Sequence, residues 1–171
     1  MVFLPEIARS IGGDTAKIQR VMGPQGIPAI EHLLGMLWVH DIPYTRDEVN
    51  DAPMLQAYRT EMAFGWDADT VFQGYWENGQ LVQTKADQSP VVTSVFTRKG
   101  KALFVVMNNS DAESKIELIP NWNALGMTAP AALADAYAEQ AIPAIQTTIP
   151  FADGRVRFTV KARNFRALVA R

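Results

Sequence analysis

Apolar and polar positions alternate along much of the chain after residue 68. In residues 155–161 the apolar side chains Val156, Phe158 and Val160 fall on one face, and charged or polar residues fall on the other. This period of two is typical of a strand with one packed face and one solvated face. Similar runs separated by turn residues cover 70–76, 81–84, 91–96, 102–107, 115–119 and 165–169. The pattern predicts an antiparallel sheet of about seven or eight strands, with a hairpin at Asn78-Gly79 joining 70–76 to 81–84.

The first part of the chain follows a helical period instead. Residues 28–39 place Ile30, Leu33, Leu34 and Leu37 at helical spacing, although Gly35 leaves a buried strand as the alternative. A second helix is predicted over 53–63, with Met54, Leu55, Tyr58 and Met62 as its apolar stripe. Tyr75 and Trp76 are neighbours in a predicted strand, so they should point to opposite faces.

These elements together predict an α+β fold that is mainly β. A short helical N-terminal segment (1–67) packs on an antiparallel β-sandwich (68–171) of immunoglobulin-like or glycosidase C-terminal type. Residues 1–26 show no strong first helix or strand and look unanchored. This suggests a sequence that starts partway through a longer chain. The predicted core consists of Leu33, Leu37, Leu55, Tyr58, Phe72, Val92, Phe104, Val106, Ile116, Leu118, Leu133, Val156, Phe158, Val160, Phe165 and Val169.

Composition narrows the function classes. The 171 residues carry a net charge of −2, which argues against general nucleic-acid binding. There is no cysteine, so disulfides and thiolate metal sites are excluded and the compartment stays open. The first residues lack a signal-peptide pattern, and no apolar run is long enough to span a membrane. We therefore expect a soluble protein without cofactors or metal, since His32 and His40 lie too far apart on a helix to share an ion.

Charge is split along the chain. Residues 1–89 hold 6 Lys and Arg against 12 Asp and Glu, a balance of −6, whereas residues 90–171 hold 10 against 6, a balance of +4. Arg155, Arg157, Lys161, Arg163 and Arg166 supply half of the cations of the second part. Their expected role is a solvated sheet face that also protects a sheet edge; the alternative is docking onto an acidic neighbour.

Few residues suggest chemistry. His40-Asp41 ends the first apolar element and could supply an acid or base, or Asp41 could simply cap the following turn. Asp67 and Asp69 flank a predicted strand. Paired carboxylates hydrolyse glycosides across a cleft, but adjacent carboxylates in a turn more often shape the turn. The candidate catalytic residues are therefore His40, Asp41 and Asp67.

Five aromatic residues could stack on sugar rings or pack in the core: Tyr44, Trp66, Tyr75, Trp76 and Trp122. Trp66, Trp76 and Tyr44 are the candidates for a ligand platform. One ring of the Tyr75-Trp76 pair should face outward or lie in the seam between the helical segment and the sandwich. We prefer the seam to a sugar platform.

The order of several short motifs resembles the C-terminal region of large bacterial glycoside-hydrolase-like proteins. These motifs are 40–43 (His-Asp-Ile-Pro), 64–67 (Phe-Gly-Trp-Asp), 72–76 (Phe-Gln-Gly-Tyr-Trp), 102–110, 121–126 and 134–137. In such proteins an antiparallel β-sandwich follows a (β/α)8 barrel. The resemblance covers residues 27–171 and implies that residues 1–67 are the tail of a barrel. A complete barrel needs about 250 residues, so no catalytic residue is carried over.

Three hypotheses follow. In the first, the chain is a non-catalytic C-terminal module that stabilises or assists a carbohydrate-active catalytic domain. Such a module should expose an apolar patch, through which it could also form homo-oligomers. In the second, it is a free-standing carbohydrate-binding module that uses exposed aromatic rings. In the third, it is a hydrolase acting on glycosides. The expected partners are a carbohydrate or a catalytic barrel domain.

Overall fold

The computed structural model describes residues 23–44, 51–141, 143–145 and 147–171. Most of the segment expected to be unanchored, residues 1–26, lies outside these ranges. The described part begins with a short 3-10 turn at Pro24–Gly26, which leads directly into the first helix.

Both predicted helices are present. Helix α1 spans Ile27–Trp38 and helix α2 spans Asp51–Phe64. Pro28 lies in the first turn of α1, where its missing N–H costs nothing. A third, short helix, α3 (Ala136–Glu139), is capped by Asp135, whose Oδ1 accepts a hydrogen bond of 3.0 Å from the Ala138 N–H.

Nine strands form the described sheet, and every neighbouring pair is antiparallel. They are β1 (Val71–Gln73), β2 (Val82–Ala86), β3 (Val91–Arg98), β4 (Lys101–Asn108), β5 (Ser114–Pro120), β6 (Ala132–Asp135), β7 (Thr148–Ala152), β8 (Arg155–Val160) and β9 (Asn164–Ala170). Their order across the sheet is β1-β3-β4-β9-β6-β7-β8-β5-β2. The expected mainly β class with a few helices is thus confirmed.

The sheet curls so that β4 and β9 are covered on both sides. On one side Leu103 and Phe165 belong to an apolar cluster shared with α1 and α2. On the other side Phe104 and Leu168 belong to a cluster shared with β5 and β8. This two-sided burial explains why β4 reads as a continuous apolar run instead of an alternating one. Assignment of the curled sheet to a specific sandwich type stays a prediction.

Side chains join the two ends of the curl. Strands β2 and β3 are not paired through their backbones, but the Thr84 hydroxyl donates to the Thr93 hydroxyl at 2.7 Å. Asn78, which is 5% exposed, donates from its amide to the Thr93 carbonyl at 2.6 Å. Sequence reasoning missed this link.

The predicted hairpin at Asn78-Gly79 is wrong. Strand β1 pairs with β3, and β2 pairs with β5 at the opposite edge of the sheet. The chain does turn here, because the Asn78 carbonyl accepts from the Leu81 N–H at 2.8 Å, but it then crosses to the other edge of the sheet and does not pair β1 with β2. Strand β1 also ends at Gln73, so Tyr75 and Trp76 lie in a turn, where both are exposed and their rings meet edge to face.

The buried face of α2 also differs from the prediction. Met54, Ala57 and Phe64 are buried, whereas Tyr58 and Met62 are 52% and 63% exposed. Thr60 lies on the buried face because its hydroxyl donates to the Gln56 carbonyl within the helix at 2.8 Å, so its burial leaves no polar atom unpaired. The predicted apolar stripe therefore extended beyond the buried face and included two residues that face solvent, Tyr58 and Met62.

The predicted core is otherwise largely correct. Tyr58 is exposed. Five members are half-buried: Leu33, Leu55, Phe72, Val92 and Phe158. The other ten are buried: Leu37, Phe104, Val106, Ile116, Leu118, Leu133, Val156, Val160, Phe165 and Val169.

Helix α1 packs directly on the sheet. Trp38 meets Phe165 edge to face, with ring centroids 5.4 Å apart. At the other end of the helix, Glu31 accepts a hydrogen bond of 2.9 Å from the Asn164 amide. The helices and the sheet share one apolar cluster, while the division predicted near residue 68 stays a prediction.

Most cations of the last strands have acidic partners. Arg155 and Arg157 both pair with Glu117 across the outer face of β5 and β8, and Arg166 pairs with Asp135 at 3.0 Å. Arg163 pairs with Asp111. These contacts favour the solvated-face interpretation, because four of the five cations already pair with carboxylates of the same chain.

Candidate functional site

A cleft of about 560 Å³ opens where α1 ends and meets α2. We call it the acidic cleft. Its lining consists of Trp38, Asp41, Ile42, Pro43, Tyr44, Tyr58, Glu61 and Trp66. Two carboxylates and four aromatic rings therefore share this space, and no basic side chain is among the described residues that line it.

Glu61 is held in place by two aromatic donors. The Trp38 indole N–H donates to Glu61 Oε1 at 2.9 Å, and the Tyr44 hydroxyl donates to the same oxygen at 3.1 Å. Within the described part of the chain, Oε2 receives no hydrogen bond. The carboxylate is thus oriented by one oxygen and can offer the other to a ligand.

Burial disfavours the charged forms of this site. Burial raises the pKa of Glu61 above its ordinary value of 4.5. The hydrogen bonds from Trp38 and Tyr44 offset part of this increase in pKa, and the nearby charge of Asp41 adds to it. Burial also raises the pKa of Asp41. The pKa of the Tyr44 hydroxyl is raised by burial and by the charge of Glu61. A cleft that holds two such carboxylates favours protons or other cations.

The raised pKa of Glu61 predicts a pH-dependent contribution to stability. The folded state binds this proton more tightly than the unfolded state, so the free energy of unfolding falls as pH rises from about 4.5 through the raised pKa. Glu61→Gln removes this titration but keeps an oxygen to accept from Trp38 and Tyr44. We expect urea unfolding of E61Q to show a flatter decline over this range than the wild type.

Glu113→Gln is the matched control for that experiment, because Glu113 is an exposed glutamate in the loop between β4 and β5. Its pH profile should follow the wild type. Superimposable profiles for E61Q and the wild type would show that Glu61 does not titrate differently on folding.

Beside the cleft lies an exposed apolar face. It comprises Ile42, Tyr58, Met62, Tyr75 and Trp76, exposed by 38%, 52%, 63%, 40% and 57%. Ile42 and Tyr58 also line the cleft. Tyr75 and Trp76 contact His40, two residues before Ile42. Met62 follows Tyr58 by one helical turn, and we refer to the five residues together as the exposed apolar face.

His40 supports this face and does not enter the cleft lining. Its ring lies nearly parallel to that of Trp76, with centroids 6.0 Å apart, and edge-on to Tyr75. Its Nδ1 lies 2.7 Å from the Met36 carbonyl oxygen, so Nδ1 carries the proton and donates it. His40 therefore packs against these two rings at the end of α1.

Asp67 occupies a turn beside the sheet. Its Oδ1 accepts from the Asp69 backbone N–H at 3.0 Å, and its Oδ2 pairs with Arg98 at 2.7 Å. Arg98 also donates to the Gly65 carbonyl. The contacts of Asp67 are those of a turn-forming residue, and Asp41 is the one catalytic candidate that lies in the cleft; the catalytic role itself stays a prediction.

The candidate platform rings lie in two places. Tyr44 and Trp66 are half-buried and line the cleft, and Trp66 packs on Phe96 with centroids 4.2 Å apart. Trp76 lies on the exposed face. Sequence reasoning missed Glu61, and it assigned Tyr58 to the core. One signal could have found Glu61. It lies three residues after Tyr58 in the predicted helix, and side chains at that spacing are neighbours on the helix surface.

Two kinds of feature are absent from the residues that the structure describes. No group of three or more His, Cys, Asp or Glu side chains converges there in a way that could hold a metal ion. None of the helices among them has both the length and the apolar character needed to cross a membrane.

Comparison with known proteins agrees with the motifs noted in the sequence. Residues 56–166, which are 111 of the 171 residues, match the family described as "Glycoside hydrolase 123, C-terminal domain". The match runs from α2 to β9 and includes Glu61 and Trp76. No curated protein matches the chain. The chain therefore belongs to the glycoside hydrolase 123 C-terminal domain family.

Proposed function

We propose that this chain is a non-catalytic β-sandwich module that braces the catalytic domain of a glycoside hydrolase through the exposed apolar face. The proposal rests on the exposure of that face, where Tyr58, Met62 and Trp76 are each more than half exposed. Large apolar groups clustered in this way mark interaction surfaces. Membership of a C-terminal-domain family favours a catalytic domain of a glycoside hydrolase as the partner.

The construction of the face supports a docking role. Trp76 is backed by Phe72, and Phe72 packs on buried Phe96 with ring centroids 4.9 Å apart. A ring supported from beneath loses little conformational entropy on binding, which is the property of an interface anchor. The rigid core of the sheet thus presents Trp76 to a neighbour.

This function predicts that the isolated chain self-associates and binds an apolar-surface dye. Light scattering over a concentration series should show association, and the double variant Tyr75→Ser with Trp76→Ser should lose about two fifths of the dye signal because it removes two of the five exposed groups. Ile145→Ser is the control, since Ile145 is 56% exposed but lies outside the face.

Two outcomes would contradict the proposal. One is a monomer that stays free of dye at high concentration. The other is an Ile145→Ser variant that loses as much dye binding as the double variant, which would show that the signal does not come from the face.

A second candidate is a carbohydrate-binding module, favoured by the exposure of Trp76. A sugar would stack on the exposed part of this ring, since His40 and Gly74 pack against the rest of it. Tyr75 lies nearly perpendicular to Trp76, at 81°, and so would contact the edge of the same sugar. Glycan-array binding that Trp76→Ala abolishes would support this function, and an array without any bound glycan would remove it.

A further inference from the structure

The acidic cleft combines features that few neutral ligands would satisfy. Glu61 and Asp41 supply two carboxylates, and Trp38, Tyr44, Tyr58 and Trp66 supply the aromatic walls. Aromatic faces attract cations through their quadrupole, most strongly when water is excluded. A carboxylate beside such rings adds a direct Coulombic attraction.

We propose that the acidic cleft binds an organic monocation, either a free alkylammonium compound or the basic side chain of a neighbouring domain. The volume of about 560 Å³ is that of a small-ligand site. The proposal concerns the cleft and goes beyond the bracing function, which rests on the exposed face.

The geometry of Glu61 explains how the cation would be held. Trp38 and Tyr44 both donate to Oε1, so the carboxyl group cannot rotate freely. Oε2 is left without a hydrogen bond from any described residue and is the atom that would face the ligand. The Asp41 side chain is exposed at the rim, where it would attract the same charge.

A neutral ligand would not compensate the negative charge of the two carboxylates in the cleft. Burial and the charge of Asp41 both disfavour ionised Glu61, whereas the hydrogen bonds from Trp38 and Tyr44 favour it. Among the residues that the structure describes, no lysine or arginine lines the cleft to compensate. A monocation neutralises one of these charges and contacts the rings at the same time. A sugar hydroxyl can accept or donate a hydrogen bond but leaves the repulsion between the carboxylates in place.

The test uses the four tryptophans as separate reporters. NMR titration of the full chain with choline, at about pH 8, where glutamates are ordinarily ionised, should shift the indole N–H signals of Trp38 and Trp66. Trp122 should not move, because it packs with Phe104 and Phe151 in the other cluster. The neutral isostere 3,3-dimethylbutan-1-ol should bind at least about tenfold more weakly.

Two variants locate the charge. Glu61→Gln should weaken choline binding at least about tenfold, and Asp41→Asn should weaken it about threefold, as expected for an inner and a rim charge. Glu113→Gln changes the net charge equally but lies in the loop between β4 and β5, so it should bind as the wild type does. Thermal melts confirm that each variant is folded.

The source of the cation is decided by comparing choline with ethylguanidinium. Tighter binding of choline would assign the cleft to a free ammonium compound, and tighter binding of ethylguanidinium would assign it to an arginine side chain. Equal binding of choline and its neutral isostere would overturn the proposal, as would unchanged binding in E61Q. Absence of any shift at Trp38 and Trp66 would do the same and would leave the dye and association tests unaffected.

Discussion

Replacing Asn108 with alanine should lower the free energy of unfolding by about 3–4 kcal/mol, because several buried polar groups would lose their partners together. Asn108 is fully buried at the end of β4. Its amide lies 2.8, 3.0 and 3.1 Å from the carbonyl oxygens of Ala112, Val160 and Lys161. One side chain thus joins the β4–β5 loop to the end of β8.

The other side of the Asn108 amide is equally occupied. Its Oδ1 accepts from the Ser110 backbone N–H at 3.0 Å and from the Ser110 hydroxyl at 2.7 Å. Alanine would remove both acceptor and donor, and the enclosed backbone groups could not reach water without opening the loop. Solvent cannot replace these contacts. Asn108 therefore makes the largest polar contribution to stability that we identify in the described part of the chain.

Asn121→Ala is the matched comparison for Asn108→Ala. Asn121 makes the same kinds of contact, donating to the Gln80 carbonyl and accepting from the Ala124 N–H, but its side chain is exposed. Water can replace those partners, so the expected loss is about 1 kcal/mol or less. Urea unfolding of both variants measures the difference, and equal losses would refute the role assigned to burial.

Replacing Gly35 with alanine should destabilise the protein by about 1–3 kcal/mol, although alanine is the better helix former by about 1 kcal/mol. A Cβ at Gly35 would lie 2.6 Å from the Met107 sulfur and 2.9 Å from Phe165 Cβ. The methionine can move, but Phe165 Cβ is attached directly to the backbone of β9. Helix α1 would have to shift away from the sheet.

Gly79→Ala separates this close approach from the general effect of glycine replacement. A Cβ at Gly79 would meet no heavy atom within 4 Å, so its expected change in unfolding free energy lies within about 0.5 kcal/mol. The measurement is again urea unfolding of each variant against the wild type. A Gly35→Ala protein more stable than the wild type would show that α1 does not approach β4 and β9 this closely.

The acidic cleft could be recognised only in part before the fold was known. Asp41 was a candidate for catalysis, whereas Tyr44 and Trp66 were candidates for a ligand platform, so they belonged to two separate hypotheses. Glu61 was missed because its importance depends on two donors, Trp38 and Tyr44, which lie 23 and 17 residues earlier in the chain. Nothing in local spacing indicates that these three groups meet.

The apolar face shows a similar limit. An exposed patch was expected from the resemblance to a C-terminal module, yet Tyr58 was assigned to the core and Tyr75 and Trp76 to opposite faces of a strand. In the fold, α2 turns Tyr58 toward solvent, and the chain leaves the sheet after Gln73. Both differences arise from which side of an element is covered, and periodicity does not report that.

The local features were determined by the sequence alone. Helical spacing placed α1 and α2, and the period of two placed β8, because hydrophobic periodicity follows directly from backbone geometry. The motif order also indicated the C-terminal region of a glycoside-hydrolase-like protein, which the family match confirms. Only the tertiary structure decided that β1 and β2 lie at opposite edges of the sheet, that Asn108 closes a buried loop, and that Glu61 and Asp41 share a cleft. These facts depend on contacts between distant residues, whose energies are not encoded in any single segment.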